Sequence, residues 1–161
     1  MNAGDRCMRV IAVTTRRQMR DFIRVPQTIF GEHPCYVPPI WLDEASAYTK
    51  RANPILRNSD FALFLALDDA DKPVGRTIAY IDHTFNKFYQ AKIGFFGAFE
   101  CIDSADAAAL LVRAAEAWLT ARGMDAIRGP IHPAAENWGF VLEGYDAPPV
   151  YMSPWSPAYY H

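Results

Sequence analysis

The sequence is poor in paired cysteine, in glycine where a phosphate would need it, in net positive charge and in long apolar runs. Cys7, Cys35 and Cys101 are odd in number and far apart, with no CxxC or Cys/His spacing. That argues against a disulfide framework and against a zinc site, and no metal is expected. Reduced thiols of this kind fit a cytoplasmic protein. Sixteen Lys and Arg stand against eighteen Asp and Glu, a net charge of −2, so the basic excess of a nucleic-acid partner is missing. No apolar run approaches the ~20 residues of a membrane span, and no signal-peptide pattern opens the chain. The junction GFFGAFECIDSADAAALLV, residues 94–112, reads as strand, tight connection and helix. Such junctions hold phosphates through glycines and free N–H groups. Here Asp103, Ser104 and Asp106 stand in their place.

What is present is a chain of 161 residues, the size of one ordinary domain. Hydrophobic residues make up 51% and charged residues 21%, enough apolar material for one core, so disorder is not the default. Residues 1–7 read as a loose lead-in and residues 8–161 as the folded domain. Met8 to Val13 is β-prone, and Thr14 or Thr15 can cap a helix carrying Met19, Phe22 and Ile23 on one face. Pro26 should end or kink that helix. Arg16, Arg17, Arg20 and Arg24 share it and read as a solvated face rather than an anion site. HPCYVPPIW, residues 33–41, is too proline-rich for regular structure and too apolar for a free linker. LDEASAYTK suggests a short helix.

Phe61 to Asp69 is almost continuously apolar and suits a strand buried on both faces. Val74 to His83 follows as its hairpin partner. FNKFYQ reads as a loop, leading into a third antiparallel strand, Lys92 to Glu100. Asp106 to Arg122 is the most regular helix, with Ala107, Leu110, Leu111, Ala114 and Trp118 on one face and Gly123 as its stop. Asp125 to Ile131 returns as a parallel strand. AENWGFVLEGY suggests a short helix or turn, and PPVYMSP a last short strand. The fold class expected is α/β: a mixed central sheet, antiparallel early and parallel late, flanked by helices.

His132 follows a parallel strand, where α/β sheets place ligands. Glu136 and Asn137 come next; they could orient an amine or a carbonyl, or merely cap a short helix. Trp138, Phe140, Tyr151, Trp155, Tyr159 and Tyr160 make the last quarter aromatic. They could line a substrate pocket, or cover an interface with a second copy or a further half; for Trp155, Tyr159 and Tyr160, which follow Pro154, the interface is the preferred reading.

YVPPIW (36–41), GFFGAFE (94–100), RGMDAIRGP (122–130) and EGYDAPPVYMSPWSPAYY (143–160) together resemble a branch of large bacterial GNAT-like acyltransferases. The likeness runs from about residue 8 to residue 160. It implies a GNAT-like domain that moves an acyl group from acetyl-CoA or acyl-CoA to a small-molecule amine. It implies a general base at Glu100, a general acid to the leaving thiolate at Tyr145, and Asn137 beside them. Pantetheine would pair with the main chain of Phe96, Gly97, Ala98, Phe99 and Cys101. The acceptor would meet His132, Glu136 and Trp138. The sequence departs from the family at CIDSAD, where a glycine-rich basic loop usually grips the pyrophosphate. Capping by Asp103 and Asp106 is the simpler reading of that junction. Relatives of this branch run on beyond the PxYY element, so the chain is expected to be a natural short form or the first half of something longer. A homodimer, or pairing through the aromatic end, is expected with it. The competing reading is a non-catalytic GNAT-like module that has lost coenzyme A binding.

Overall fold

A hairpin organises the molecule. β2 (Ser59–Leu67) and β3 (Pro73–Asp82) run antiparallel, with Leu63 opposite Ile78 and Leu65 opposite Arg76. β1 (Arg9–Ala12) adds antiparallel outside β2, and β4 (Ile93–Cys101) antiparallel outside β3. β5 (Ala126–Arg128) closes the order β1-β2-β3-β4-β5 parallel to β4. The sheet is therefore mixed, antiparallel early and parallel late, as expected from the sequence. This computed structural model describes residues 8–133, 138–150 and 153–160.

Helices cover both faces of the sheet, which is why the central strands read as unbroken apolar runs. On one face α1 (Arg16–Phe30) buries Phe22 and Val25 against Leu63, Leu65, Ile78 and Tyr80. Tyr48 and Leu56 join that layer from the segment that follows, which contains α2 (Trp41–Ala47) and α3 (Pro54–Arg57). On the other face α5 (Ala105–Thr120) buries Ala107, Leu111, Ala115 and Leu119 against Phe64, Ala66, Ala79 and Ile81. These four fall every fourth residue, one stripe of a helix. The close approach needs small neighbours: a Cβ on Gly75 would stand 2.8 Å from Leu111 Cδ1.

Several local expectations differ from what forms. FNKFYQ is not a loop: residues His83–Tyr89 form α4. The Asp82 side chain accepts from the N–H groups of Thr84 and Phe85, and this cap starts the helix. At α5 the cap is Ser104, whose side chain accepts from Ala107 N–H, rather than Asp103; Asp106 lies in the first turn. At α1 Thr15 and Gln18 form a reciprocal capping box. Pro26 neither ends nor breaks that helix, which runs on to Phe30. Residues 138–150 form turns, with only an isolated bridge between Ile131 and Trp138, and no last strand occurs among the described residues.

Candidate active site

Arg76 is the residue around which the site is built. It sits mid-strand in β3, is 3% exposed and points to the α1 face among apolar neighbours. A guanidinium cannot remain there without partners that replace water. Glu100 of β4 supplies a two-pronged one: Arg76 Nε donates to Oε2 at 2.6 Å and Nη2 to Oε1 at 3.3 Å. Glu44 of α2 lies 2.8 Å from Nη1. Nη1 also donates to the Phe22 carbonyl at 3.1 Å. That carbonyl is open because residue 26, four further along α1, is a proline with no N–H to give back. Pro26 thus leaves a helical acceptor facing inward, and Arg76 fills it.

The bulge in β4 brings Glu100 into line. Arg76 pairs with Glu100 and Ile78 with Gly97, so β4 carries one residue more than β3 over this stretch. Ala98 absorbs the kink at φ 44, a backbone conformation few non-glycine residues adopt.

Tyr48 extends the network. Its hydroxyl donates to Glu44 Oε1 at 2.8 Å and lies 3.0 Å from His132 Nε2. An ionised carboxylate only accepts, so the single hydroxyl proton goes to Glu44 and His132 Nε2–H donates to Tyr48. Burial pushes the Glu44 carboxyl up, but Arg76, His132 and the Tyr48 hydroxyl outweigh it and hold it below the usual carboxylate range. Burial opposes charge on Arg76 too, yet the Glu100 and Glu44 carboxylates beside it more than restore it. The result is a chain of contacts, Glu100–Arg76–Glu44–Tyr48–His132, linking β4, β3, α2 and the loop after β5.

Glu100, Arg76, Glu44 and His132 of this chain border a cleft of about 560 Å³, and Tyr48 lies buried behind them. Its walls come from the proline-rich segment before α2, from Ala98 and Phe99 of the bulge, and from residues 153–156. Trp155 packs edge-on against Phe30, with ring centroids 5.0 Å apart. Among the described residues no cluster of His, Cys, Asp and Glu could hold a metal ion. No helix among them is long and apolar enough to cross a membrane.

Comparison with known proteins adds the fold's relatives. The chain superposes on an acetyltransferase of the GNAT family from Staphylococcus aureus with a TM-score of 0.52, at 12% identity over 79% of this chain and 75% of that one. A putative acetyltransferase from Pyrococcus furiosus gives a TM-score of 0.50 at 14% identity, over 75% of this chain and 80% of that one. The fold is GNAT-like. No family model matches the sequence. In sequence the chain is 31% identical over 152 residues to a bacterial ceramide synthase from Caulobacter vibrioides, covering 93% of this chain and 39% of that protein. It is 30% identical over 146 residues to protein YghO of Escherichia coli, covering 90% of this chain and 37% of that one. The chain spans about two fifths of the length of these curated relatives.

Within this GNAT-like fold the sequence-derived candidates separate. Glu100, His132, Ala98 and Phe99 all border the cleft. Phe96 turns its carbonyl to Ile131 N–H at 2.7 Å. The Gly97 carbonyl accepts from Thr77 Oγ1 at 3.0 Å, and a Cβ on Gly97 would run into the Ile131 carbonyl. The main chain of Cys101 is taken by the aromatic end: its N–H donates to the Tyr160 hydroxyl at 2.8 Å, and its carbonyl accepts from Tyr159 at 2.8 Å. Tyr145 donates to the Val141 carbonyl at 2.9 Å and does not border the cleft. Trp138 is 66% exposed. Glu136 and Asn137 lie outside the described residues.

Arg76, Glu44 and Tyr48 escaped the reading of the sequence. A signal existed for each. Arg76 is the one charge inside the run VGRTIAYI, and a charge in a strand covered on both faces must be paired. Glu44 and Tyr48 are four apart, the spacing of neighbours on a helix face.

Proposed function

We propose that the chain carries the acyl-transfer site of an N-acyltransferase, which moves an acyl group from acetyl-CoA or a longer acyl-CoA to an amine. The observation that supports this best is the position of Glu100: an anchored carboxylate bordering a roomy cleft, one residue past the β4 bulge in a GNAT-like fold. The acyl thioester would lie along Ala98 and Phe99, whose stretch of β4 borders the cleft. The amine would enter beside Glu100 and Glu44. Glu100 would take the proton that the amine loses, directly or through a water, as nitrogen attacks the thioester carbonyl. N–H groups at the bulge would steady the developing oxyanion. The thiolate of coenzyme A would leave as the amide forms. His132, held by Tyr48, would help position the acceptor. The name of the Caulobacter relative fits this reaction class, since a ceramide is an amide.

One observation favours a second reading, a GNAT-like module without catalysis. Tyr159 and Tyr160 occupy the main chain of Cys101, the last of the strand positions a pantetheine arm would use. Ser104 likewise caps α5 where a pyrophosphate loop would be expected. Calorimetric titration with acetyl-CoA, a long-chain acyl-CoA and free coenzyme A separates the two. Saturable binding near micromolar acyl-CoA is expected for the transferase. Absence of binding at millimolar ligand, from folded protein, would leave the module.

A further inference from the structure

The outward face of α1 is a stripe of arginine. Arg17, Arg20 and Arg24 fall three and four residues apart, and Arg16 lies four before Arg20, so all four share the side opposite the buried Phe22, Val25 and Pro26. All four are exposed, and among the described residues none pairs with a carboxylate. Asp21, the one acidic residue of the helix, lies half-buried to their side. The chain as a whole carries a net charge of −2, so this face runs against the balance of the molecule.

An aliphatic rim adjoins the stripe. Arg24 lies over the Trp41 ring, 4.1 Å from its centroid. Trp41 is flanked by Ile40 and Leu42, which are 65% and 83% exposed, and Val37 just before them is exposed as well. One exposed aliphatic residue is ordinary, but three within six residues beside a cationic stripe form a patch with two chemistries. Pro38 and Pro39 stiffen the segment that holds Val37 and Ile40 outward. Val37 and Ile40 also border the cleft.

The order of these groups selects the partner. From α1 come guanidinium groups, then an indole, then aliphatic side chains. A lipid bilayer offers the complementary order from its surface inward: anionic phosphate, the interfacial zone that tryptophan prefers, and the edge of the acyl chains. A nucleic acid or an acidic peptide would answer the arginines and leave Ile40 and Leu42 in water.

We infer that this patch docks the protein on the surface of an anionic lipid bilayer. The arginines of α1 meet lipid phosphates, and Val37, Ile40 and Leu42 enter the interface. Docked in this way, the lip of the cleft formed by Val37 and Ile40 rests on the lipid. The inference goes beyond the chemistry assigned to the cleft and does not depend on it.

The test is sedimentation of the whole chain with vesicles of phosphatidylcholine alone, and of phosphatidylcholine and phosphatidylglycerol at two to one. Wild type is compared with R17Q/R20Q, I40S/L42S and R113E. Arg113 is an exposed residue of α5, on the other face of the sheet, and R113E changes the net charge by as much as R17Q/R20Q does. All these residues are exposed, so the four proteins should melt alike. Binding is expected with the anionic vesicles alone, and should fall away at about 1 M salt, where charges are screened within roughly 3 Å. R17Q/R20Q should weaken it roughly twentyfold or more, near fivefold for each arginine. I40S/L42S should weaken it roughly tenfold through lost apolar burial. R113E should bind like the wild type. No binding to anionic vesicles, equal binding to both kinds, or an equal loss in R113E would overturn the inference. A loss in R17Q/R20Q with I40S/L42S unchanged would also overturn it and assign the stripe to a polyanion. Capture of a DNA duplex by wild type but not by R17Q/R20Q, without vesicle binding, would do the same.

Discussion

Replacing Arg76 by methionine is expected to cost about 3–5 kcal/mol of folding stability, the usual cost of removing one member of a buried ion pair. Methionine fills much of the same space, so the loss comes mainly from Glu44 and Glu100, left without a counter-charge. Their side chains are 12% and 24% exposed, so water can do little for Glu44 and only somewhat more for Glu100. The Phe22 carbonyl, already without its helical donor, loses its replacement as well. The loss should depend on pH with a definite sign. In the wild type Glu44 is held below the usual carboxylate range. Its contribution to stability is therefore complete above the unfolded carboxylate value, roughly 4.3, and is lost as pH falls through the lower folded value. In R76M the main influence lowering Glu44 is gone, so protonation relieves the variant at higher pH. The gap between the two proteins should be full at neutral pH and should narrow toward acid. Urea unfolding of both proteins at neutral pH and near pH 4 measures it. A gap below about 1 kcal/mol at neutral pH, well short of a broken buried pair, would contradict the central role given to Arg76.

Glu100→Gln is expected to lower the rate of acyl transfer by roughly 10²–10⁴-fold, the range for loss of a general base. Glutamine keeps the shape of the side chain, and its amide oxygen can still accept from Arg76 Nε. It cannot hold a positive charge or take a proton. The fold should survive, because Glu44 remains to pair Arg76. Affinity for acyl-CoA should change little, since that substrate is placed along Ala98 and Phe99. A rate within a few-fold of wild type, with normal acyl-CoA binding, would remove Glu100 from the proton path. Attention would then pass to His132, which the Tyr48 hydroxyl anchors.

The layout of the sheet was legible because its signals are local. The apolar runs around Phe64 and Ile78 are covered on both faces, and the helix was legible from its spacing, although the stripe it buries runs from Ala107 and Leu111 to Ala115 and Leu119 and leaves Leu110, Ala114 and Trp118 only partly buried. The parallel return of β5 followed from the strand–helix–strand order. What was not legible depends on partners distant in sequence. Arg76 reads as an ordinary strand residue until Glu100, 24 positions on, and Glu44, 32 positions back, are brought beside it. Pro26 reads as a helix breaker, because nothing in its neighbourhood reveals that an arginine will take up the carbonyl it leaves open. The loop misassigned at FNKFYQ turned on Asp82, a cap that belongs by sequence to the preceding strand. Glu100 was found from family resemblance; its anchoring partner was not.

Mass spectrometry of the reaction product tests the proposed activity most directly. Purified protein is mixed with acyl-CoA and a primary amine, and the mixture is analysed for the N-acylated amine and free coenzyme A in equal amounts. The expected result is both products, formed by wild type and strongly reduced in E100Q. Folded protein that yields neither product across short and long acyl chains, and that shows no saturable binding of acyl-CoA, would contradict the acyltransferase reading.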